Sequence, residues 1–266
     1  MFVLLAQFIQ RIGCVPLGLN IQSAREAEDG EYAFVVRLER RIILEFDENH
    51  PFENIIHICT CVALSPSWAL TAGHCIHSAA PDTQLTDYVR TRTHVSYGSH
   101  NVTTAEVIST ILHPNFHDPL FKMENDIGLL RTEIMRLKQF AHISETDISS
   151  LSGQEVIIGG YRSTAQHAGR PPLQVLGAAV VRCALPARCA APRRAPSGGG
   201  ACATDAGGPV LLATGVVAIN TISLETIQLC SAVSKGQPIG MDIITSTKPY
   251  IKWIEGNIKR DQLLLT

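Results

Sequence analysis

The chain has 266 residues, of which 45% are hydrophobic and 17% charged, a balance typical of a globular protein with a substantial core. Its formal net charge of -2 excludes a strong overall field that would attract nucleic acid or an anionic membrane. No apolar run reaches the roughly 18 residues of a transmembrane helix. We therefore expect no nucleic-acid partner and no membrane span.

The chain begins with a short apolar run, MFVLLAQFI at residues 1–9. No basic residue precedes this run, and Arg11 limits its length. Two interpretations stay open. Residues 1–20 are a signal peptide or pro-segment, or the chain has a truncated or wrongly assigned start.

Short apolar runs predict β-strands at residues 33–38, 155–158, 174–181 and 210–219. Each run is rich in β-branched residues or bounded by Gly, Pro or polar residues, which favours strands over helices. Many short strands without long intervening helices indicate barrels or sandwiches. One helix is predicted at the end, where Pro249 can occupy the first turn and apolar residues succeed it at helical spacing.

The cysteines and one N-glycosylation sequence indicate the cellular compartment of the protein. Eight cysteines allow many pairings, so their number alone selects none. No CxxC pair accompanies a second one or a His-rich partner, so we expect no zinc site. We also expect no cofactor. Asn101-Val102-Thr103 is an N-glycosylation sequon, which is used only on a secretory route.

One segment, residues 183–203, is biased toward Ala, Pro, Arg and Gly. Its run of three glycines at 198–200 predicts a flexible loop. Arginines at 182, 188, 193 and 194 make this region basic. It is either a solvated surface loop or an anion- or polysaccharide-binding site.

Three motifs carry the candidate chemistry: LTAGHC at 70–75, NDIGLL at 125–130 and CATDAGGPV at 202–210. Acyl transfer at a peptide bond needs a nucleophile, an imidazole base and a buried carboxylate that orients the imidazole. The motifs resemble LTAAHC, DIALL and CxGDSGGP of the chymotrypsin/trypsin-like serine protease family. Residues 21–32, 156–161 and 250–254 resemble further family blocks in the same order.

The resemblance implies an all-β fold of two antiparallel six-stranded barrels with a C-terminal α-helix. The protease-like domain would cover residues 21–266. Its first barrel would extend over about 21–140, its second over about 141–247, and its helix over about 248–260.

The resemblance also assigns site roles. His74 is the base position, Asp126 the orienting carboxylate and Ala206 the nucleophile position. Two interpretations of Asp242 stay open: it is an ordinary surface residue, or it belongs to the substrate pocket, as the family pattern implies. The remaining assigned positions are Thr204 at the oxyanion hole; Ile21 and Asp205 at the activation pocket; and Gly200, Asn220 and Asp242 at the substrate pocket.

The disulfides implied by the family pattern are Cys59–Cys75 and Cys202–Cys230, while Cys183 and Cys189 can close a short loop. Cys14 and Cys61 then remain. Cys61 is either a buried thiol or the partner of Cys14, which would tether the N-terminal segment.

Several departures from the family pattern predict loss of catalysis. Ala206 has no nucleophilic oxygen, and Thr204 replaces a glycine that donates a backbone N–H to the oxyanion. Asn20, rather than a basic residue, precedes Ile21, so a trypsin-like activator has no residue to recognise there.

We therefore expect a secreted, extracellular, monomeric pseudoprotease that binds a protein partner, such as a component of a proteolytic cascade. Two alternatives remain. One is an active endopeptidase represented with a Ser→Ala change at 206, and the other is an anion- or polysaccharide-binding protein.

Overall fold

The computed structural model describes residues 24–44, 52–78, 83–86, 89–98, 101–117, 124–161, 170–182, 188–192, 206–223 and 242–264. The predicted signal or pro-segment, residues 1–20, lies outside these ranges. The described strands, β1–β14, form two sheets, and every pairing between them is antiparallel.

The first sheet closes into a barrel because its strands pair in a ring, β2-β3-β4-β8-β7-β6, completed by the pairing of β2 with β6. A seventh strand, β5, extends the sheet beyond β6. The strand bounds are β2 (Val35–Leu44), β3 (Phe52–Ser65), β4 (Trp68–Thr71), β5 (Thr83–Thr86), β6 (Val89–Tyr97), β7 (Thr103–Leu112) and β8 (Gly128–Thr132).

The second sheet closes in the same way, as β9-β10-β11-β14-β13-β12 with β12 pairing back to β9. The strand nearest the N-terminus, β1, is added to β10. The bounds are β1 (Ala24–Glu26), β9 (Glu155–Gly160), β10 (Gln174–Arg182), β11 (Arg188–Pro192), β12 (Pro209–Leu212), β13 (Gly215–Ser223) and β14 (Asp242–Ser246). The predicted fold class, two closed six-stranded antiparallel barrels, is confirmed.

The predicted apolar runs fall on strands, with two differences. Residues 33–34 of the first run lie in the turn before β2, and the last run is divided. The run at 210–219 forms two strands, β12 and β13, because residues 213–214 make a tight turn between them. Gly215 comes directly after that turn with φ +118°, a conformation that glycine adopts readily.

Two α-helices are described, α1 (Gly73–Ser78) and α2 (Ile251–Leu264). As the sequence predicted, Pro249 lies in the first turn before α2, here a 3-10 turn at Lys248–Tyr250. Neither described helix combines the length and apolar character needed to cross a bilayer.

Three apolar clusters form the core. One fills the first barrel around Val36, Leu38 and Leu130, and a second fills the other barrel around Ile158 and Val210. The third lies between the barrels and joins residues of both to Ile254 of α2. Helix α2 therefore packs where the barrels meet, which is also where the candidate site forms.

Cys61 lies in the first core as a free thiol with no exposed surface. This agrees with the first of its two interpretations, while Cys14 lies outside the described residues. Burial raises the pKa of the Cys61 thiol to about 12, because the apolar core disfavours the thiolate.

We predict that Cys61 resists alkylation in the folded protein at about pH 8, since only an exposed thiolate reacts quickly. Peptide mass mapping after iodoacetamide treatment, with and without denaturant, checks this. The Cys61 peptide should be modified only in denaturant. Equal modification of the folded and unfolded protein would contradict its burial.

Candidate active site

Asp126 is a fully buried carboxylate just before β8. Its Oδ1 accepts the backbone N–H of His74 at 2.7 Å, and its Oδ2 lies 2.8 Å from Nδ1 of the same residue. A carboxylate can only accept hydrogen bonds, so Nδ1 of His74 carries the proton in this pair. The contact orients the imidazole and leaves Nε2 as the nitrogen that could accept a proton.

His74 lies in the first turn of α1, and its side chain is 27% exposed. Its Nε2 is 3.6 Å from Sγ of Cys75, which forms a disulfide with Cys59. The bridge attaches the short helix to β3, so the position of the imidazole depends on the first barrel.

Close packing at Gly73 brings the helix to the carboxylate. A Cβ at position 73 would lie 2.9 Å from a ring carbon of Phe116 and 3.1 Å from Oδ1 of Asp126. Both distances are shorter than ordinary carbon contacts. Phe116 thus packs into space that the family alanine would need, a contact that the motif alone does not reveal.

The C-terminal part of the chain supports the loop before Asp126. The hydroxyl of Tyr250 donates to Oδ1 of Asn125 at 3.0 Å, and Nδ2 of Asn125 donates to the carbonyl of Asn115 at 2.9 Å. Asn125 has φ 56°, a left-handed conformation that asparagine tolerates better than most residues. The sequence motifs gave no sign of this support, because it joins residues that are 125 positions apart.

Ala206 begins the turn that leads into β12 and packs against the first core, which includes Ala72 and Cys75 beside His74. Its carbonyl accepts the backbone N–H of Thr60 at 2.9 Å. The turn of the second barrel is thus bonded directly to β3 of the first.

Gly207 allows this approach. It has φ +83°, and a Cβ there would lie 2.2 Å from both the carbonyl oxygen of Thr60 and Oγ1 of Thr71. Its N–H donates to the carbonyl of Asn220 at 2.7 Å, and the N–H of Asn220 donates to the carbonyl of Gly208 at 2.8 Å. Only glycine fits between the barrels at this position.

The proposed pocket positions are described in part. Asn220 is buried in β13, where its backbone contacts the 206–208 turn. Asp242 is 1% exposed at the start of β14, which argues against a surface role. The strand pairing places it opposite Ser223 and Ala190.

Several predicted positions lie outside the described residues, namely Ile21, Cys183, Gly200, Cys202, Thr204, Asp205 and Cys230. Cys189 is disulfide-bonded and buried in β11. Arg182 is exposed at the end of β10, and most of the basic segment after it is not described.

Among the described residues, the ligand atoms of Cys59, His74 and Cys75 lie within 4.8 Å of one another. The two sulfurs are joined to each other, so neither is a thiolate that could bind a metal ion. This group therefore does not fit a metal centre while the disulfide is intact.

The turn at Gly207 leads to a prediction about stability. We expect Gly207→Ala to lower the free energy of unfolding by at least about 2 kcal/mol, because Cβ is strained at positive φ and contacts two oxygens. Gly256→Ala, on α2 in open space, is the control and should raise that free energy by up to about 1 kcal/mol. Denaturant titration measures both; an unchanged midpoint for Gly207→Ala would contradict the packing.

Comparison with known proteins agrees with this geometry. The Trypsin family model matches residues 21–254. The solved structure of neuropsin, a serine protease expressed in the limbic system of mouse brain, is similar with a TM-score of 0.59 at 19% identity, covering 88% of this chain and 98% of that one. At this identity the likeness concerns the fold alone. No curated protein sequence matches the chain. With the family model covering most of its length, the chain belongs to the trypsin family.

Proposed function

We propose that the chain is a catalytically inactive, secreted member of the trypsin family that acts by binding another protein. The observation that carries the proposal is Ala206, which stands at the nucleophile position of the family motif. The surrounding turn is bonded to Thr60, so position 206 is held at the junction of the barrels.

The side chain of Ala206 is a methyl group, which has neither a lone pair to attack a carbonyl nor a proton to transfer. His74 can be oriented by Asp126, yet position 206 offers it no hydroxyl to activate. Loss of the nucleophile in such triads lowers turnover by roughly a million-fold. The ordered pair of His74 and Asp126 is then better explained by structure than by turnover.

Two further features of the sequence support the proposal. Thr204 stands where the family has glycine, and a β-branched residue resists the backbone conformation that directs an N–H at an oxyanion. Asn20 precedes Ile21, so cleavage by a trypsin-like activator is not expected to release an N-terminus for Asp205.

Binding does not require a nucleophile. In this proposal the cleft between the barrels still accepts a protein segment. The substrate-pocket role of Asp242, whose carboxylate is buried in this structure, stays a prediction. The partner is a protein of an extracellular cascade, and neither a cofactor nor nucleic acid is involved.

Secretion is supported by the sequon. Asn101 is exposed just before β7, and Thr103 is exposed at its first position. Both residues are thus accessible to a glycosyltransferase.

The proposed loss of catalysis is tested by incubating native protein with a fluorophosphonate probe and mapping its peptides by mass. We expect the peptide containing residues 202–209 to carry unmodified alanine, because no hydroxyl is present to be phosphonylated. Active trypsin treated in parallel is the control. A labelled serine at 206 in native protein would show an ordinary endopeptidase instead.

Two matched variants distinguish the effect of the missing nucleophile on labelling from the effect of the altered oxyanion hole. We expect Ala206→Ser to remain unlabelled, and Ala206→Ser combined with Thr204→Gly to gain labelling if the N-terminus is also freed at Ile21. Probe incorporation measured by mass gives the answer. Rapid labelling of Ala206→Ser alone would mean that only the nucleophile has been lost.

Secretion and glycosylation are tested together in a eukaryotic secretory host. We expect native protein in the medium to lose mass on treatment with an N-glycosidase, and Asn101→Gln to abolish the change. Thr104→Ala, which alters the neighbouring exposed threonine and leaves the sequon intact, is the control. Secreted native protein without glycan would contradict use of the sequon.

A further inference from the structure

One end of the first barrel extends as a ribbon with an exposed edge. Strand β3 pairs with β2 from Phe52 onward, whereas its pairing with β4 begins only at Val62. No described strand pairs with residues 52–58 on the side away from β2. An edge of this kind presents backbone N–H and C=O groups to a further strand.

The edge also carries exposed apolar side chains. Phe52 is 62% exposed, Ile55 41% and Ile56 45%, which makes this the densest group of exposed large hydrophobic residues in the described chain. Strand edges in monomeric proteins are often protected by Pro, Lys or other charged residues. Residues 52–58, FENIIHI, contain neither Pro nor Lys, and Glu53 is their one acidic residue.

The ribbon is supported on its other side. Strand β2 pairs with β3 and β6 over the same residues, and β5 extends the sheet beyond β6. Residues 52–58 therefore form the outer strand of a four-stranded sheet. The neighbouring strands hold them in an extended conformation without a binding partner.

We propose that this edge pairs with the same edge of a second copy of the chain, antiparallel about a twofold axis through Ile55. The register places Ile55 opposite Ile55, Phe52 opposite Ile58 and Glu53 opposite His57. Directly opposed residues share a face of the sheet. The Ile55–Ile55 contact therefore lies on the axis and occurs once, while the Phe52–Ile58 and Glu53–His57 contacts each occur twice. Five of the seven positions oppose apolar with apolar or acid with imidazole in this register, and the other two place Asn54 opposite Ile56. Glu53 also lies 3.8 Å from Nε of Arg41 on β2. The apolar pairs favour a second copy over an unrelated strand.

The sequence alone predicted a monomer, and this surface changes that expectation. Stable interfaces bury on the order of 1,200–2,000 Å² and involve more residues than two seven-residue strands, so this contact is small by comparison. The dimer is therefore weak and depends on protein concentration. The inference is independent of catalysis, because the edge contains none of the proposed site residues.

The test is sedimentation velocity of the full chain over a range of concentrations. We expect a reversible monomer–dimer equilibrium. Ile55→Lys should raise its dissociation constant by at least about tenfold, because two ammonium groups then face each other across the axis. Ile108→Lys is the matched control, since Ile108 is 48% exposed on β7, away from the edge, and should leave the equilibrium unchanged.

A cysteine cross-link tests the register. Ile55→Cys should form a disulfide-linked dimer under mild oxidation, because the twofold axis brings each residue to its own copy, whereas Ile108→Cys should not. Non-reducing electrophoresis separates the two results. A chain that stays monomeric at all concentrations, or a dimer that tolerates Ile55→Lys and cross-links through Ile108, would overturn the proposal.

Discussion

The site depends on one interaction, the hydrogen bonding of His74 to the buried carboxylate of Asp126. A carboxylate without exposed surface is tolerated only when its oxygens are hydrogen-bonded, and both contacts here come from His74. Removing a partner of such a group destabilises a protein by on the order of a few kcal/mol. The pairing of His74 with this carboxylate must therefore be maintained. It is held by helix α1, the Cys59–Cys75 disulfide and the loop that Tyr250 contacts.

This requirement is structural, so under the proposed function the scaffold would keep its site after losing turnover. A Ser→Ala change at 206 would remove one hydroxyl from a partly exposed position and leave the backbone contact with Thr60 in place. Changes at Asp126 or Gly207 would instead leave buried polar groups without partners or force the barrels apart. Under the proposed function, selection for folding alone would preserve most of the motif and release the nucleophile.

Much of the fold could be predicted from the sequence, because the motifs around His74, Asp126 and Ala206 occur in a known order. The strand runs also appear locally as β-branched segments. Contacts between distant parts of the chain could not be predicted. Phe116 packs against Gly73, and the hydroxyl of Tyr250 donates a hydrogen bond to Asn125. Both contacts join segments that come together only in the folded chain. Likewise, an apolar residue such as Ile55 looks like core until the strand pairing shows that one side of β3 has no described neighbour.

Strand β3 contributes both to the exposed edge and to the junction of the barrels. Its first half is the exposed edge, and its second half carries Thr60, whose N–H binds the carbonyl of Ala206. Because the strand is continuous, a partner strand added at residues 52–58 would further stabilise the segment that leads directly to the junction of the barrels. The pairing of β2 with both β3 and β6 limits how far that segment can move. Occupation of the edge would therefore affect the cleft mainly through the stability of β3, and only slightly through its shape.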